Sequence, residues 1–461
     1  MSIIPDKIAK TAKNVSSSVS SKVSGTVAKA KDKAAQAKDA AAKVAKPAPT
    51  SSADDTILAL DIGTEYVKAV IARQNKKDDT LHIIGVGKAH QKMGNMNTGA
   101  IADIPAVVAT CEQALATAEQ QAGITSKLAV VGIAGELVKG NTSTIRYRRK
   151  NSSRPITEQE MTLIIKRVQT RAGEKAKQEV AVETNNPDVE VSLINSAIVS
   201  LQIDGYKVSN PIGFKGSDIS IQFYTAFAPL VHISAIEKVC AELSLDLLAV
   251  AVEPFAVCRA CLGDDLDSNF SAIVMDIGGG TTDVAVVDDG GVEGTKMFGI
   301  GGRSFTHQIA SKLGVDFDTA EKYKLKPTDK ELDEATRTKI TEAISANLAV
   351  WLSGVQIALE DFDHVDTLPN KILLCGGGAG LVQLQEDLAT ADWYKNLPFA
   401  RRPVVHLLDD PDIPGIKNST DQDLDYSLIT AFGLLRVGLD TLAGESEDKG
   451  IRTKLAKILQ N

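Results

Sequence analysis

The amino-acid sequence predicts an α/β fold in which one strand–turn–strand unit occurs twice, with a small α+β module inserted in the larger fold. Apolar strands alternate with helical segments along most of the chain, as is typical of α/β proteins. Two segments, 57–71 and 273–287, share the order strand, Asp-Ile-Gly, strand. Because the unit is repeated, we expect an internal duplication, with an aspartate at the bend of each β-hairpin.

The predicted elements of the first lobe follow a low-complexity segment that ends near residue 53. Short apolar runs closed by glycine or polar residues predict buried strands, and longer periodic segments predict helices. These criteria place strands at Thr56–Leu60, Val67–Ala72, Leu81–Gly87 and Leu128–Ala134, and a helix at Pro105–Gln121.

The inserted module is predicted between about 141 and 230, where the sequence texture changes. It opens with a basic run, Arg146, Arg148, Arg149 and Lys150. Thr157 with Glu160 three residues later predicts a helix that begins with a capping box. Two apolar strands follow at Val189–Leu201 and Ile219–Phe227, with turns between them.

The main fold is predicted to resume at residue 231. Helices are expected at Ser234–Leu243, Ser304–Leu313, Lys339–Glu360 and Leu428–Gly438, and strands at Leu247–Val252, Ile273–Ile277 and Ile372–Cys375. The predicted domain organisation begins with a basic tail at 1–53 and the first part of lobe 1 at 54–143. The inserted domain follows at 144–230. The remainder of lobe 1 with lobe 2 takes 231–443, and a linker with a terminal helix takes 444–461.

Charge is distributed unevenly along the 461 residues, whose formal net charge is −8. Residues 1–53 contain ten lysines and three aspartates, a net charge of +7, which leaves −15 for the rest. An acidic body argues against a general nucleic-acid binder, so we expect no nucleic-acid partner. The tail is rich in Ala, Lys and Ser, which favours a disordered linker over a weak amphipathic membrane helix.

Cysteine usage and hydropathy indicate a cytosolic protein. The five cysteines are an odd, sparse set, so a reducing compartment is expected. Cys258 and Cys261 form one CxxC within an apolar helical stretch, which favours packing over metal binding. No uninterrupted apolar run reaches the ~18 residues that a membrane-spanning helix needs.

The second hairpin unit, AIVMDIGGGTTDVAVVDDGGV at 272–292, carries the sharper chemical signal. Gly278, Gly279 and Gly280 let the backbone turn tightly and present N–H groups to a phosphate, and Thr281 and Thr282 add hydroxyl donors. Asp276 would repel phosphates directly, so it makes sense as a partner of a metal ion or its water shell. A plain glycine turn is the less favoured alternative.

The first hairpin unit, ILALDIGTEYVKAVIA at 57–72, repeats this logic with one glycine. Gly63 and Thr64 would face phosphate from the other side, and Asp61 would face the metal. Lys68 is either a phosphate ligand or a surface charge. A third glycine cluster, Gly376, Gly377 and Gly378, lies between a strand and a helix and suits close approach by a nucleotide.

Together these motifs resemble the actin-like ATPase fold, shared by actin, MreB, heat-shock chaperones and sugar kinases. Within that fold the sequence is most similar to the FtsA family of bacterial cell division proteins. The segments that follow this family's order are GGGTTDVAVVDDGGV, IGGRSFTHQIASKLG, AEKYKL, ITEQEMTLIIKRV, INSAIVSLQIDGYKVSNPIGFKG, VAVEPFAVCRACL and ITAFGLLRVG. The resemblance covers about 56–440 and implies a duplicated, ribonuclease H-like α/β fold with a small inserted domain.

The resemblance implies that the chain binds ATP with Mg²⁺ and has at most weak ATPase activity. Asp61 and Asp276 match metal positions, and the residues named in both hairpins match the two phosphate loops. The ribose and adenine side is matched by Gly301, Gly302, Glu321 and Lys324, and the adenosine loop by Gly376, Gly377 and Gly378. Glu253, in VEPFA, matches a position that orients the attacking water in relatives such as MreB; a helix-capping carboxylate is an equally good reading.

The same resemblance implies a filament-forming adaptor that tethers the C-terminal peptide of FtsZ to the inner face of the cell membrane. The alternative is a PilM-like cytoplasmic component of a type IV pilus machine. VKAV is closer to PilM and Tyr66 stands where FtsA often has Lys, whereas NPIGFKG favours FtsA. A sugar kinase or a chaperone is a third possibility. The chain shows no sugar-binding motif and no long C-terminal substrate domain.

The C-terminal segment GIRTKLAKILQN predicts a short amphipathic helix that binds anionic lipid. Ile451, Leu455, Ile458 and Leu459 share one helical face, and Arg452, Lys454 and Lys457 flank it. Each basic residue near such a surface contributes about 1 kcal/mol. The alternatives are a frayed end, a helix docked on the protein, or attachment through the N-terminal tail.

Overall fold

The computed structural model describes residues 55–75, 80–262, 270–326, 332–362 and 364–445. The basic tail and the amphipathic C-terminal helix lie outside these residues, so both stay predictions. In chain order the strands are β1 (Thr56–Ile62), β2 (Tyr66–Asn75), β3 (Thr80–His90), β4 (Met96–Asn97), β5 (Ala100–Ile101), β6 (Leu128–Ile133), β7 (Lys139–Arg148), β8 (Val191–Ile203), β9 (Tyr206–Lys207), β10 (Asp218–Pro229), β11 (Asp246–Val252), β12 (Ala272–Ile277), β13 (Thr282–Asp288), β14 (Gly291–Phe298), β15 (Lys371–Cys375), β16 (Val404–Leu407) and β17 (Ile416–Asn418). The α-helices are α1 (Ile104–Ala122), α2 (Glu158–Glu183), α3 (Leu230–Glu242), α4 (Glu253–Leu262), α5 (Gly302–Leu313), α6 (Phe317–Leu325), α7 (Glu334–Glu360), α8 (Val382–Thr390) and α9 (Ile429–Glu445).

Two large sheets repeat one topology, as the paired hairpin motifs predict. Their strand orders are β11-β6-β1-β2-β3-β17 and β16-β15-β12-β13-β14-β7-β10-β8-β9. In each sheet, three antiparallel strands (β1-β2-β3 or β12-β13-β14) are followed by two parallel ones (β6-β11 or β15-β16). The internal duplication is therefore confirmed at the level of whole sheets.

The central strands are apolar throughout because both faces of each sheet are covered. Every residue of β1 and β12 is buried, including the aspartate near the end of each strand. A run without polar alternation is what a strand buried on both faces requires. Consequently Asp61 and Asp276 reach their bends inside the protein and not at its surface.

Helices α7 and α9 are long and apolar enough to cross a membrane by length and average hydropathy, over Glu334–Glu360 and Tyr426–Ala443. Both contribute fully buried side chains to the core, Trp351 and Val355 from α7 and Phe432 and Leu435 from α9. We therefore interpret them as core helices. Mean hydropathy over a window identifies these two helices, whereas the sequence criterion above required an uninterrupted apolar run, which neither helix contains.

The region between β7 and β10 extends the second sheet through the order β14-β7-β10-β8-β9 and packs α2 on one face. Thr157 caps α2 as predicted, since its side chain accepts a hydrogen bond from the Glu160 N–H at 3.2 Å. The second half of the capping box is wrong: the Glu160 carboxylate accepts two hydrogen bonds from Arg149. The proposed domain boundaries at 144 and 230 stay a prediction.

Candidate functional site

The two Asp-Ile-Gly bends have the same hydrogen-bonding geometry. The Gly63 N–H donates to the Tyr66 carbonyl at 3.1 Å, and the Gly278 N–H donates to the Thr281 carbonyl at 2.9 Å. The strand register then places Lys68 across from Asp61 and Asp283 across from Asp276. The duplication thus extends to individual hydrogen bonds, and it pairs each aspartate with a second ionisable residue.

The two bends contact each other directly. A Cβ atom added to Gly279 would lie 2.8 Å from the Glu65 Cβ, and one added to Gly280 would lie 2.9 Å from the Thr64 Oγ1. Glycine is required at both positions because a side chain would separate the loops. The structure therefore brings the predicted residues Thr64, Gly279 and Gly280 together.

The N-terminus of α5 orients the second loop. The Gly302 N–H donates to the Gly278 carbonyl at 2.9 Å, and the Arg303 N–H donates to the Gly279 carbonyl at 2.8 Å. The C=O and N–H of a trans peptide point in opposite directions, so the N–H groups of Gly279 and Gly280 face away from α5. Neither donates to a backbone carbonyl within the described residues. Two adjacent N–H groups of this kind can hold an anion.

Four carboxylates and one ammonium group lie at the base of the loops. Asp61, Asp276, Asp283 and Glu253 are all buried. Lys68 donates to Asp61 Oδ2 at 2.8 Å, so Lys68 is an ion-pair partner of the predicted metal ligand. Thr430 of α9 donates to Asp276 Oδ2. Asp283 accepts from Thr281 through Oδ2 at 3.1 Å, but its Oδ1 is buried and has no hydrogen-bond partner among the described residues.

Burial and mutual repulsion raise the pKa values of three carboxylates in this cluster. Burial raises the pKa of Glu253 well above its ordinary value, and Asp61, Asp283 and Asp276 raise it further. Burial also raises the pKa of Asp276 and, more strongly, that of Asp283. Burial alone would lower the pKa of Lys68, but Asp61 and Asp276 bring it to about 12. A divalent cation is the kind of group that such a cluster accommodates.

Glu253 is the first residue of α4, and its carboxylate packs over β6. A Cβ on Gly132 would lie 2.8 Å from Glu253 Oε1, so glycine at 132 leaves room for this carboxylate. The side chain belongs to the same electrostatic cluster as Asp61 and Asp276. Its predicted role in orienting water stays a prediction.

The two predicted threonine ligands differ in their surroundings. Thr281 contacts Asp283 inside the cluster. Thr282 is fully buried, its hydroxyl donating to the Ile300 carbonyl at 2.7 Å and accepting from Trp351 Nε1 at 2.9 Å. The Thr282 hydroxyl therefore links β13 to α7, and its role as a phosphate donor stays a prediction.

The residues predicted on the ribose and adenine side converge on the start of α5. Lys324 Nζ donates to the Gly302 carbonyl at 3.0 Å and forms an ion pair with Glu321 at 2.8 Å. Thr306 also donates to Glu321. Gly301 packs so closely that a Cβ would lie 2.6 Å from the Gly278 carbonyl oxygen. This group therefore adjoins the second loop.

The third glycine cluster adjoins the same loop from the other side. Gly376 has a φ of +81°, and its Cβ would lie 2.1 Å from Asp276 Oδ1. A Cβ added to Gly378 would lie 2.6 Å from Ile277 Cγ2 and 3.2 Å from the Gly278 carbonyl oxygen, whereas one added to Gly377 would have no described atom within 4 Å. The structure thus gathers all three predicted glycine segments around residues 276–280.

Sequence reasoning missed three charged residues at the site: Asp283, Glu65 and Arg303. Asp283 could have been found by aligning the hairpins in register, since it corresponds to Lys68 of the first copy. Arg303 of α5 forms an ion pair with Glu65 of the first loop, and His90 Nε2 lies 2.8 Å from the same carboxylate. No sequence signal links Glu65 with Arg303, because 238 positions separate them.

Known proteins resemble this chain in sequence and in fold. A family model described as cell division protein FtsA matches residues 273–461. The chain is 25% identical to cell division protein FtsA of Enterococcus faecalis over 356 residues, 72% of this chain and 76% of that protein. It is 25% identical to the Pseudomonas aeruginosa protein of the same name over 382 residues, 77% of this chain and 86% of that protein. These findings confirm the predicted resemblance to FtsA.

A solved structure with the same fold is described as the PilM–PilN type IV pilus biogenesis complex. It has a TM-score of 0.59 and 17% sequence identity, and covers 83% of this chain and 98% of that one. At this identity the likeness shows the fold alone, and it confirms the actin-like duplicated α/β architecture.

Proposed function

We propose that this chain, which is related to the FtsA cell division proteins and has the actin-like fold, binds ATP with Mg²⁺ at its paired loops. The observation that carries the proposal is the direct contact of two duplicated Asp-Ile-Gly bends, with the N–H groups of Gly279 and Gly280 directed away from α5. Phosphates need such donors, and the neighbouring carboxylates need a cation.

The carboxylates fit the metal on their own chemistry. Asp61 and Asp276 lie at equivalent positions of the two copies, and Asp283 Oδ1 is a buried acceptor that no donor in the described part of the chain reaches. Oxygen ligands are those that Mg²⁺ prefers, and the bound ion would neutralise phosphate charge. Gly302, Glu321 and Lys324 would hold the ribose and adenine, and Glu253 would orient water for a slow hydrolysis.

Asp276→Asn, which keeps the size of the side chain, tests the metal role. Isothermal titration calorimetry should show ATP binding that depends on Mg²⁺ in the natural chain, and loss of that dependence in the variant. Asp421→Ala, at an exposed position outside the site, is the control. Unchanged Mg²⁺-dependent affinity in Asp276→Asn would refute the metal role, and no ATP binding by the natural chain would refute the nucleotide site.

The function that this site serves is tethering FtsZ to the inner face of the bacterial cell membrane. The support is the similarity to FtsA proteins over 72% or more of the chain in both relatives described above. In this proposal ATP governs assembly of the chain into filaments more than it supports turnover. The C-terminal helix at 450–461, together with the N-terminal tail or in place of it, would contact the membrane.

Pull-down with FtsZ and with its isolated C-terminal peptide tests the tethering function. We expect the ATP-loaded chain to bind FtsZ and its C-terminal peptide, and not to bind a control peptide of scrambled sequence. A folded, ATP-loaded chain that binds neither would contradict the FtsA-like function. Selective capture of a short cytoplasmic peptide from a pilus membrane protein would support the PilM-like alternative, which the sequence VKAV favours.

A further inference from the structure

The basic run at the end of β7 contains one buried cation and three exposed ones. Arg149 turns inward, where its guanidinium bonds both Glu160 carboxylate oxygens at 2.8 and 2.9 Å and the Gly216 carbonyl at 3.0 Å. Arg146, Arg148 and Lys150 are exposed. Within the described parts of the chain, none of these three forms an ion pair. Neither the proposed nucleotide site nor the core explains them.

Strand alternation separates these cations from the core of the module. Ile145 and Tyr147 pack against the buried cluster beneath α2. Successive side chains of a strand point to opposite faces, so Arg146 and Arg148 lie on the other face, about 7 Å apart. Lys150 continues the series just beyond the strand. The three residues, here called the basic stripe, therefore form a row along the C-terminal end of β7.

The backbone of β7 has a free edge beside this stripe. On one side β7 pairs with β10 along its whole length, from Lys139 to Arg148. On the other side it pairs with β14 only through Gly140 and Asn141. From Thr142 to Arg148, the backbone pairs with no described strand on that side, although the Thr142 hydroxyl donates to the Val292 carbonyl of β14 at 2.7 Å. A free strand edge presents unpaired N–H and C=O groups that can pair with another chain.

We propose that this free edge of β7 binds an extended acidic segment of a partner protein as an added antiparallel or parallel strand. Backbone hydrogen bonds would provide affinity, and the basic stripe would select carboxylates at alternate positions. Cations on an edge also repel basic strands, so the same residues exclude the wrong partners. Seven residues of free edge span about 23 Å, which sets a partner segment of about seven residues.

The charge of the surroundings favours a ligand at this stripe and not over the whole surface. Residues 54–461 carry a net charge of −15, so an acidic peptide is repelled by most of the surface that these residues form. Asp218 is the residue across the β10 ladder from Arg148. It forms no ion pair with Arg148 within the described residues, which leaves the guanidinium available to an incoming carboxylate.

Fluorescence anisotropy with the full chain tests the proposal, using a labelled Gly-Asp-Val-Glu-Val-Asp-Val-Glu-Gly peptide as the probe. We expect R146S/R148S/K150S to weaken binding about tenfold or more. The matched control is K166S/R167S/R171S, which removes two arginines and one lysine from exposed positions of α2 and should bind like the natural chain. Thermal unfolding of both variants checks that each is folded.

A peptide of the same sequence with N-methylated backbone nitrogens at alternate positions separates strand addition from charge attraction. We expect it to bind at least about tenfold more weakly than the probe. Equal binding of the two peptides, equal losses in both triple variants, or no binding of the probe would each overturn the proposal. So would a stripe that binds phosphatidylglycerol vesicles and not the peptide. None of these results depends on nucleotide binding.

Discussion

At the scale of single residues, Gly376 shows why the site needs a glycine at one place and tolerates other residues next to it. Its φ of +81° is disfavoured for residues with a Cβ, and an added Cβ would lie 2.1 Å from Asp276 Oδ1. Gly377 has neither a positive φ nor an atom within 4 Å of an added Cβ. Adjacent glycines of one motif therefore differ in their structural requirement.

Gly376→Ala should destabilise the chain by about 1–3 kcal/mol because it combines backbone strain with displacement of Asp276. It should also weaken Mg²⁺-dependent ATP binding. Gly377→Ala, the matched control for stability, should leave the free energy of unfolding nearly unchanged. Thermal unfolding and calorimetry measure the two effects, and equal behaviour of the variants would show that the close approach to Asp276 has no consequence.

His232 of α3 predicts a dependence of stability on pH. Its Nδ1 is buried and has no hydrogen-bond partner within the part of the chain that the structure describes, and burial lowers the pKa of the imidazole below its ordinary value of 6.5. Below pH 6.5 the unfolded chain therefore binds a proton that the folded chain binds less readily. The stability associated with neutral His232 is present above pH 6.5 and is lost as pH falls toward the folded pKa.

His232→Gln removes this contribution. The free energy of unfolding of the natural chain, relative to that of His232→Gln, should decrease as pH falls from 7.5 to 5.5. Urea unfolding of both proteins at each pH measures it. His307→Gln, at an exposed histidine, provides the comparison for a surface position. A difference that stays constant with pH, or grows toward acid, would contradict the assigned burial effect.

At the scale of elements, the start of α5 holds the two loops together. Its backbone bonds the second loop through Gly302 and Arg303, and the Arg303 side chain pairs with Glu65 of the first loop. The two side chains are only 14% and 19% exposed, so water screens the pair weakly. A short helix terminus thereby connects the two copies of the duplicated hairpin.

Glu65→Arg and Arg303→Glu should each weaken ATP binding about tenfold, or about 1.4 kcal/mol, because like charges would then face each other between the loops. The double variant restores opposite charges and should recover most of the affinity. Calorimetry of the two single variants and the double variant measures the coupling. Additive losses in the double variant would show that the pair does not position the loops.

Element boundaries were predictable where local pattern decides them, as β1, β12 and α1 illustrate. The predicted strand Ile273–Ile277 corresponds to Ala272–Ile277, and the predicted helix Pro105–Gln121 to Ile104–Ala122. The capping box of α2 was half wrong because Glu160 has a stronger partner in Arg149, whose position depends on the neighbouring strand. Apolar periodicity is local, whereas the choice of partner for a carboxylate is not.

At the scale of the whole molecule, we propose that the segments near the chain termini bind the membrane. Deleting 450–461 should weaken sedimentation with phosphatidylglycerol vesicles at least tenfold, since three basic residues contribute about 1 kcal/mol each. Deleting 1–46 is the comparison and should have the smaller effect. If only the second deletion releases the chain from vesicles, the anchor is the N-terminal tail.

The amino-acid sequence was enough to predict an α/β fold with a duplicated hairpin unit, because apolar runs and glycines within about twenty residues define each hairpin. Three-dimensional packing determines that Gly279 and Gly280 face Glu65 and Thr64, that Asp283 turns into the carboxylate cluster and that Thr282 turns toward Trp351. It also decided that Arg149 is internal while Arg146 and Arg148 are exposed. These outcomes depend on strand register and on contact between segments more than 200 positions apart, which local pattern does not encode.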